Sequence, residues 1–592
     1  MALRVRSFVL ATLLLALFVF IGQPVLAQSD TLSTTANTAG FGTSDLITVI
    51  GTIIKVFLGI LGILFLVLMM YAGFLWMTAG GDGKQVDRAK RMLINAVVGL
   101  VIILMSYAIA SFIVNALLTA TGGNGNNGGP SGSVTIPSFS GSLGSGIIRD
   151  HYPLRDQTDV VRNTNITVTF RDQMEIKSMV SGYDDAGTPL DLSDDSVTTT
   201  LNSDNVKIYA SAEGEETALT DVEVHFTDDL KTFVFNPVNY LGNSTGPVGY
   251  TVHLDKKIKN AAGQSVFVGA NSGGYEWSFD TGVDLDLSPP TVTSVTPASG
   301  GTFAKNIVVQ INFNEPVDPT SASGVRAAGS GFSNIQVAGT DGIPTPGNYY
   351  ISNGYKTVTF ESASACGTNS CGETIYCLPG GQPIAVGVAA ATVGSSPPQA
   401  NFPYNGVVDM AANSLDGDRN GVAGDEYAWA FSTTDDIYLL GSSVQSITPN
   451  IQAENVALDE GINLIFSDIL MSSTVNSDNI HLTNKELTGG SSHEQWYRFD
   501  TESLTVDGQP VVGNTQAPVK SSVTMPHGVL LESVDGKTYM YGVEVTQGVR
   551  NQYQNCYLPA KGPDATGGAC AVTAAAPYCC DGRAQASACT LF

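Results

Sequence analysis

Three prolines set the frame of this chain. Pro153, Pro297 and Pro449 stand 17, 16 and 17 residues ahead of a phenylalanine that ends a short alternating run. The runs are Ile166-Thr167-Val168-Thr169-Phe170, Val308-Val309-Gln310-Ile311-Asn312-Phe313 and Ile462-Asn463-Leu464-Ile465-Phe466. Alternation at period two turns one face of a strand toward a core. A fixed spacing that returns about every 150 residues is an internal repeat. Further landmarks keep the same order. Asn202-Ser203-Asp204-Asn205-Val206-Lys207-Ile208 returns as Asn476-Ser477-Asp478-Asn479-Ile480-His481-Leu482, and Lys231-Thr232-Phe233-Val234-Phe235 as Lys356-Thr357-Val358-Thr359-Phe360. Trp277-Ser278-Phe279-Asp280-Thr281 returns as Trp429-Ala430-Phe431-Ser432-Thr433. Helical periodicity is absent from this stretch. Many short strands with Gly and Pro turns predict all-β architecture, in tandem β-sandwiches. The expected units are residues 147–283, 288–436 and 443–592.

The landmarks, with the acidic turn Asn314-Glu315-Pro316-Val317-Asp318, resemble the bacterial Ig-like domains of S-layer and other large surface proteins. The resemblance implies Ig-like sandwiches in three copies. Each unit is longer than the roughly 100 residues of a typical Ig sandwich, and insertions at 176–200 and 361–405 would account for the excess. The third copy departs from the pattern. The closing Trp-x-Phe-x-Thr strand comes 107 and 116 residues after the landmark Phe in units one and two. The same interval after Phe466 reaches 573–582, where no such strand is written. A sandwich without it has an unpaired edge and an incomplete core, so unit three is expected to be cut short or completed by another strand.

Before residue 120 the patterning is different. Phe8 to Ile21 is a short apolar run behind Arg4 and Arg6, followed by Val25-Leu26-Ala27. A basic start, a short apolar run and small residues at the cleavage positions predict a secretory signal peptide over 1–27; an uncleaved anchor is the alternative. Val56 to Ala79 and Leu93 to Thr119 then give 24 and 27 residues without a charge. Roughly 20 apolar residues cross a hydrocarbon core, so both are expected transmembrane helices within 28–120. The loop between them carries Lys84, Arg88, Lys90 and Arg91 against Asp82 and Asp87. Lys and Arg in a short loop place it on the cytoplasmic side, which puts everything after residue 120 outside.

Met70-Tyr71-Ala72-Gly73-Phe74-Leu75-Trp76-Met77-Thr78-Ala79-Gly80-Gly81, the basic loop, Ala96-Val97-Val98-Gly99-Leu100 and Ser106-Tyr107-Ala108-Ile109-Ala110 resemble the type IV secretion (conjugative) pilins. That resemblance covers about 28–122. It implies a two-helix transmembrane hairpin with both ends outside, and contact with other copies through the hairpin. Such pilins usually end after the second helix, whereas this chain runs on for 470 residues.

Residues 121–146 are mostly Gly, Asn and Ser without a charge and read as a flexible tether, with an r.m.s. span of about 28 Å. Of 28 basic and 54 acidic residues, only 7 and 4 lie in 1–122, so the remainder carries a formal charge of −29. That surface repels nucleic acid, so no nucleic-acid partner is expected.

Asp416-Gly417-Asp418-Arg419-Asn420-Gly421 places oxygen donors at loop positions 1, 3 and 5 and Gly at 6, the first half of a calcium loop. The acid expected at position 12 is displaced: Tyr427 occupies 12 and flanking helices are missing, and the nearest acids are Asp425 at 10 and Glu426 at 11. Asp416, Asp418, Asn420, Asp425 and Glu426 are therefore candidate calcium ligands, with a solvated Gly-rich turn as the alternative. Eight cysteines are disulfide candidates in an exported segment. Cys366, Cys371 and Cys377 lie in unit two, and Cys556, Cys570, Cys579, Cys580 and Cys589 in unit three. Each unit holds an odd number, so either a bridge joins the units or each keeps a free thiol. Gly242-Asn243-Ser244-Thr245-Gly246 matches a hydrolase pattern, but its meaning needs a strand-to-helix elbow and here it falls between strands. No catalytic constellation is found.

These readings predict a multi-pass membrane protein whose partners are membrane lipids, with an extracellular stalk of Ig-like units for adhesion or envelope structure. The alternatives are a pilin-like subunit of a type IV secretion apparatus with decorated ectodomains and, least favoured, a surface hydrolase.

Overall fold

The computed structural model describes residue 90 and residues 146–587, apart from 185–198, 269–272, 327–330, 395–398, 488–495, 512–516, 529–537, 565, 567 and 581. The signal peptide, both apolar runs and most of the tether lie outside the described residues. Among the described residues, no helix is long and apolar enough to cross a membrane.

Everything described beyond the tether is nearly all-β. Unit one has strands β1 (Ile148–Tyr152), β2 (Ile166–Phe170), β3 (Val206–Ala210), β4 (Val222–Phe226), β5 (Thr232–Pro237), β6 (Val248–Leu254) and β7 (Tyr275–Thr281). They form two sheets, ordered β1-β2-β5-β4 and β3-β6-β7. The landmark runs build the centre of the first sheet. Ile166 pairs with Phe235 and Val168 with Phe233. Alternation then delivers Val168, Phe170, Phe233 and Phe235 into one core, where Trp277 and Phe279 of β7 join them from the second sheet.

Unit two repeats this plan with additions. Its strands are β8 (Val292–Thr296), β9 (Thr302–Ala304), β10 (Val309–Phe313), β11 (Gly324–Arg326), β12 (Ile335–Ala338), β13 (Gly347–Ser352), β14 (Thr357–Ser362), β15 (Ala365–Thr368), β16 (Thr374–Tyr376), β17 (Pro383–Val388) and β18 (Tyr427–Thr434). The two sheets run β11-β13-β14-β10-β8 and β12-β17-β18-β9, with β15-β16 as a separate hairpin. The stretch 361–405 is therefore not simply an insertion. Its β17 holds the middle of the second sheet and buries Ile384, Val386 and Val388.

Unit three has β19 (Val444–Thr448), β20 (Ile462–Phe466), β21 (Ile480–Glu486), β22 (Asp500–Leu504), β23 (Lys520–Met525) and β24 (Tyr539–Val545), followed by a hairpin of β25 (Tyr578–Cys580) and β26 (Arg583–Gln585). Its first sheet, β19-β20-β23-β22, matches that of unit one; among the described residues its second holds β21 and β24.

The landmark tryptophans close the first two units in the same way. The indole N–H of Trp277 donates to the carbonyl of Pro153 at 3.1 Å. That of Trp429 donates to the carbonyl of Pro297 at 3.1 Å. The recurring proline and the recurring strand are thus two ends of one contact.

The expected stalk is corrected by the packing. The three sandwiches are not laid end to end; they share a junction. Asp478 at the start of β21 takes Arg149 of β1 at 2.7 Å and Arg171 at 2.8 Å. The turn after β13 reaches both neighbours: Gly354 N–H donates to Asp150 at 3.2 Å, and Asn353 exchanges two bonds with the backbone of Thr501, at 2.8 and 2.6 Å. Gln310 of β10 binds the backbone of Leu470 and Ser472 at 2.9 and 2.7 Å. Trp496 of unit three packs against the core of unit one. Sequence patterning reports which face of a strand turns inward within its own sandwich. It carries no comparable signal for single polar side chains that dock one sandwich on another.

Candidate functional site

The sharpest sequence motif folds as a closed loop between Leu415 and β18. Asp416 and Asp425 face each other as a backbone bridge, and Gly417 N–H donates to the carbonyl of Asp425 at 3.0 Å. Gly417 is required by this approach, because a Cβ there would meet the carbonyl oxygen of Glu426 at 2.2 Å. The loop is also tied to β8, where the Arg419 guanidinium donates to the carbonyl of Val292.

Asp416, Asp418 and Asp425 bring carboxylate oxygens within 4.8 Å of one another. Asp416 is buried and receives Asn420 N–H at 3.2 Å and Gly421 N–H at 2.8 Å. Asp418 receives Asn420 N–H at 3.0 Å. The Asn420 amide nitrogen bridges the other carboxylates, 3.0 Å from Asp418 and 3.4 Å from Asp425. The Asn420 carbonyl oxygen faces Val422 N–H at 2.7 Å. Glu426 is exposed and stands outside the group. The donor set is oxygen only and rich in carboxylate, which suits a hard cation such as calcium. A bound ion would take the place of the Asn420 amide N–H groups between Asp418 and Asp425.

A second cluster was not foreseen. Asp286 on the connection between units one and two, Glu315 and Asp409 also bring carboxylate oxygens within 4.8 Å. Glu315 was visible only as a landmark of the repeat, and nothing in sequence spacing joins it to Asp286 and Asp409. Asp409 is already occupied: its oxygens accept Ala411 N–H, Asn413 N–H and the Asn413 amide, each at 2.8 Å. Burial raises the Asp409 carboxyl well above the usual range. Burial and then the charge of Asp286 push Glu315 up to about 7. A carboxyl cluster saturated by N–H donors on one side is better relieved by a proton than by an ion that needs those same oxygens.

Asp150, at the three-unit junction, behaves similarly. Burial pushes it up to about 6, against the lowering effect of Arg498. A carboxyl whose folded pKa is raised favours the fold at low pH, and that contribution is lost as pH rises through the folded value. Shifts of two units or so correspond to at most about 3 kcal/mol each, and solvent screening of these half-buried groups lowers that figure. In chelator, the melting temperature of the wild type should therefore fall relative to an Asp150→Asn/Glu315→Gln variant between pH 4.5 and 8. Parallel melting curves across that range would refute the assignment.

The cysteines resolve the odd count. Cys366 pairs with Cys377, Cys570 with Cys579, and Cys371 with Cys556 across units two and three. Cys580 is disulfide-bonded as well, and Cys589 lies outside the described residues. Gln554 supports the cross-unit bridge from inside. Its amide N–H groups donate to the carbonyls of Asn306 and Tyr376 at 2.9 and 2.7 Å, and its carbonyl receives Tyr376 N–H at 2.8 Å. Ser244 lies in the turn between β5 and β6, where the Asn243 side chain accepts from Thr245 and Gly246. The strand-to-helix elbow that would make it a nucleophile is absent there.

With this geometry in hand, the comparisons are specific. The type IV secretion system pilin family matches residues 42–113. The bacterial Ig-like domain family matches residues 147–281 and 286–370. No curated protein matches the chain. Among solved structures, domains 1–6 of the surface layer protein SbsC align at 8% identity over 82% of this chain and 63% of that one, with a TM-score of 0.16. A second structure of that S-layer protein aligns at 9% identity over 81% and 61%, with a TM-score of 0.15. Titin domains Z1Z2 in complex with telethonin align at 9% identity over 49% and 98%, with a TM-score of 0.12. The chain thus spans somewhat under two thirds of the length of the two S-layer structures, and superpositions this loose carry no argument.

Proposed function

We propose that this chain is a bacterial cell-surface protein without catalytic activity. Residues 28–120 form the two-helix membrane hairpin, 121–146 the tether, and the Ig-like units an extracellular head for adhesion or envelope structure. The observation that carries this reading is the pilin-family match directly ahead of Ig-like matches in one chain. The contacts among the three units support a head of clustered Ig-like units over an extended stalk. Membrane lipids are its first partners, with other copies reached through the hairpin, and its acidic surface disfavours nucleic acid.

The second reading is a pilin-like subunit of a type IV secretion apparatus, with Ig-like heads decorating a filament. The match over 42–113 favours it as well, and polymerisation separates the two. Negative-stain imaging of sheared cell surfaces, probed with antibody to unit one, would reveal regularly labelled filaments only in the second case. Topology has its own test. With cysteines introduced at Gln85 and Ser140, a membrane-impermeant thiol reagent on intact cells should label position 140 and spare position 85. The reverse result would overturn the membrane assignment.

Calcium is proposed at the loop of Asp416, Asp418, Asn420 and Asp425. An ion that binds only the folded state adds RT ln(1 + [L]/Kd), about 2.7 kcal/mol at a hundredfold excess over Kd. The melting temperature should rise in millimolar calcium, and Asp418→Ala should remove the rise. A wild-type protein that melts identically in calcium and in chelator would exclude the site.

A further inference from the structure

Unit one carries a cleft whose charge is opposite to that of the units as a whole. Its volume is about 1000 Å³, and among the described residues its charged lining is Lys177, Lys256, Lys257 and Lys259 against Glu175. All four lysines are exposed. On a chain that is strongly acidic beyond residue 122, this is a local reversal of sign. Two neighbouring segments bring the lysines together. The helical turn Ile176–Ser178 supplies Lys177, and the turn that follows β6 supplies the other three. Lys259 N–H donates to the Ser178 hydroxyl at 3.0 Å, and Glu175 N–H donates to the Lys259 carbonyl at 3.0 Å. The two segments are therefore held in fixed register.

The scaffold itself does not call for lysine. Unit three builds the same turn after β24 from other residues. Ile258 N–H donates to the Asp255 carbonyl at 3.1 Å, as Val549 N–H does to that of Thr546 at 3.3 Å. Asp255 N–H donates to the Asn205 carbonyl at 2.7 Å, as Thr546 N–H does to that of Asn479 at 2.8 Å. Arg550 N–H meets the Thr474 hydroxyl at 3.0 Å, the counterpart of Lys259 and Ser178. These pairs set Ser473, Gln547, Gly548 and Arg550 where unit one has Lys177, Lys256, Lys257 and Lys259. The one cation among the four, Arg550, is engaged by Glu373 at 3.0 Å. In unit one the charges are not spent in this way. Among the described residues, the ammonium groups of Lys256 and Lys259 have no hydrogen-bond or ion-pair partner. That of Lys257 donates to the backbone carbonyl of Asp204 at 3.2 Å. The Glu175 carboxylate accepts from the Ser178 hydroxyl at 3.3 Å. Like charges gathered on a fixed turn repel one another, and an anion bound among them relieves that repulsion.

We propose that this cleft binds a short, soluble ligand carrying two or more phosphate groups. Ammonium groups are point charges on flexible stems, and they suit oxygens that point in several directions. A planar carboxylate is better met by the guanidinium fork, and no arginine is among the described lining residues. Four positive charges against one negative exceed what a single phosphate neutralises. The volume also lies within the range of small-molecule sites. Of the two apolar lining residues, Phe267 is buried and Val268 alone presents surface, which offers little to an acyl chain. The acidity of the surrounding units selects for a short ligand. At physiological salt the attraction of the cleft is screened within about 8 Å, and a long polyanion would extend into repulsive surface.

The test uses the purified full-length chain in detergent, with chelator present so that calcium cannot bridge protein and phosphate. Tripolyphosphate is the probe, citrate the carboxylate control, and titration calorimetry at physiological salt the measurement. Saturable binding of tripolyphosphate, at least tenfold tighter than that of citrate, is the expected result. Lys256→Gln/Lys259→Gln should weaken it at least tenfold, whereas Lys520→Gln/Lys561→Gln, which removes the same charge elsewhere, should change it less than twofold. Acylation of wild-type lysines gives a readout that needs no variant. Tripolyphosphate should slow modification of Lys256 and Lys259 at least threefold and leave that of Lys561 unchanged. Absence of saturable binding overturns the proposal. So does an equal loss in the two double variants, which would reduce the effect to net charge. Equal binding of citrate would overturn the assignment to phosphate. Protection of Lys256 and Lys259 by phosphatidylglycerol vesicles and not by tripolyphosphate would assign the cleft to a lipid surface and overturn a soluble ligand.

Discussion

Trp277→Ala should unfold unit one at far lower denaturant than any other single change in its second sheet, with a loss of about 3–5 kcal/mol. Trp277 is 1% exposed. Its ring stacks on His151 with centroids 4.4 Å apart, and it sits within the same aromatic group as Tyr275. Removing it opens a cavity among residues fixed by two sheets. It also removes one of the two partners of the Pro153 carbonyl, which keeps the His151 ring nitrogen at 2.8 Å, so the lost hydrogen bond adds only about 0.5–1.5 kcal/mol. Trp277→Phe keeps most of the volume and loses the N–H, so its cost should be smaller, and the difference between the two variants separates packing from hydrogen bonding. Urea titration followed by hydrogen exchange in β6 is the measurement. A Trp277→Ala protein within 1 kcal/mol of wild type would show that the proline–tryptophan contact does not organise the fold.

Cys371→Ser with Cys556→Ser should cost nearly as much. The bridge spans 185 residues, and the chain-entropy relation for a loop of that size gives about 5 kcal/mol, with typical measured values of 2–4. The loss should appear as separation of units two and three. Asn369 donates to the carbonyl of Gln554 at 2.9 Å, and Gln554 in turn binds Asn306 and Tyr376. Those bonds lose their closest covalent support when the bridge goes. Limited proteolysis between 434 and 444 should therefore accelerate in the variant, and one thermal transition should broaden or split. Unchanged cleavage would mean that the polar contacts alone hold the two units together.

The repeat was readable because it is written in strand periodicity. Phe170, Phe313 and Phe466 lie 17, 16 and 17 residues after a proline, and all three end an interior strand of the first sheet. In unit three the sequence places no equivalent of Trp277 and Trp429 in 573–582, and among the described residues its second sheet is β21 and β24. Disulfide parity left a cross-unit bridge as one of two outcomes, and Cys371–Cys556 realises it. What sequence could not supply was the placement of units. Arg149, Arg171 and Asp478 belong to segments that share no pattern, and the salt bridges among them depend on three rigid bodies meeting. Asp286, Glu315 and Asp409 converge for the same reason. The motif at Asp416 was legible as a turn of oxygen donors, but the exposure of Glu426 and the approach of Asp425 to Asp416 and Asp418 depend on how β18 begins.

The junction also has a consequence for biosynthesis. In a string of independent domains each unit can finish folding soon after it leaves the ribosome. Here Arg149 must wait for Asp478, 329 residues later. At roughly 5–20 residues per second, that interval lasts roughly 15 to 65 s. Throughout it, the face of unit one that Trp496 will cover stays exposed to whatever else is present. The nascent chain is thus most vulnerable to misassembly between the completion of its first sandwich and the arrival of its third, a window set by topology rather than by the stability of either unit.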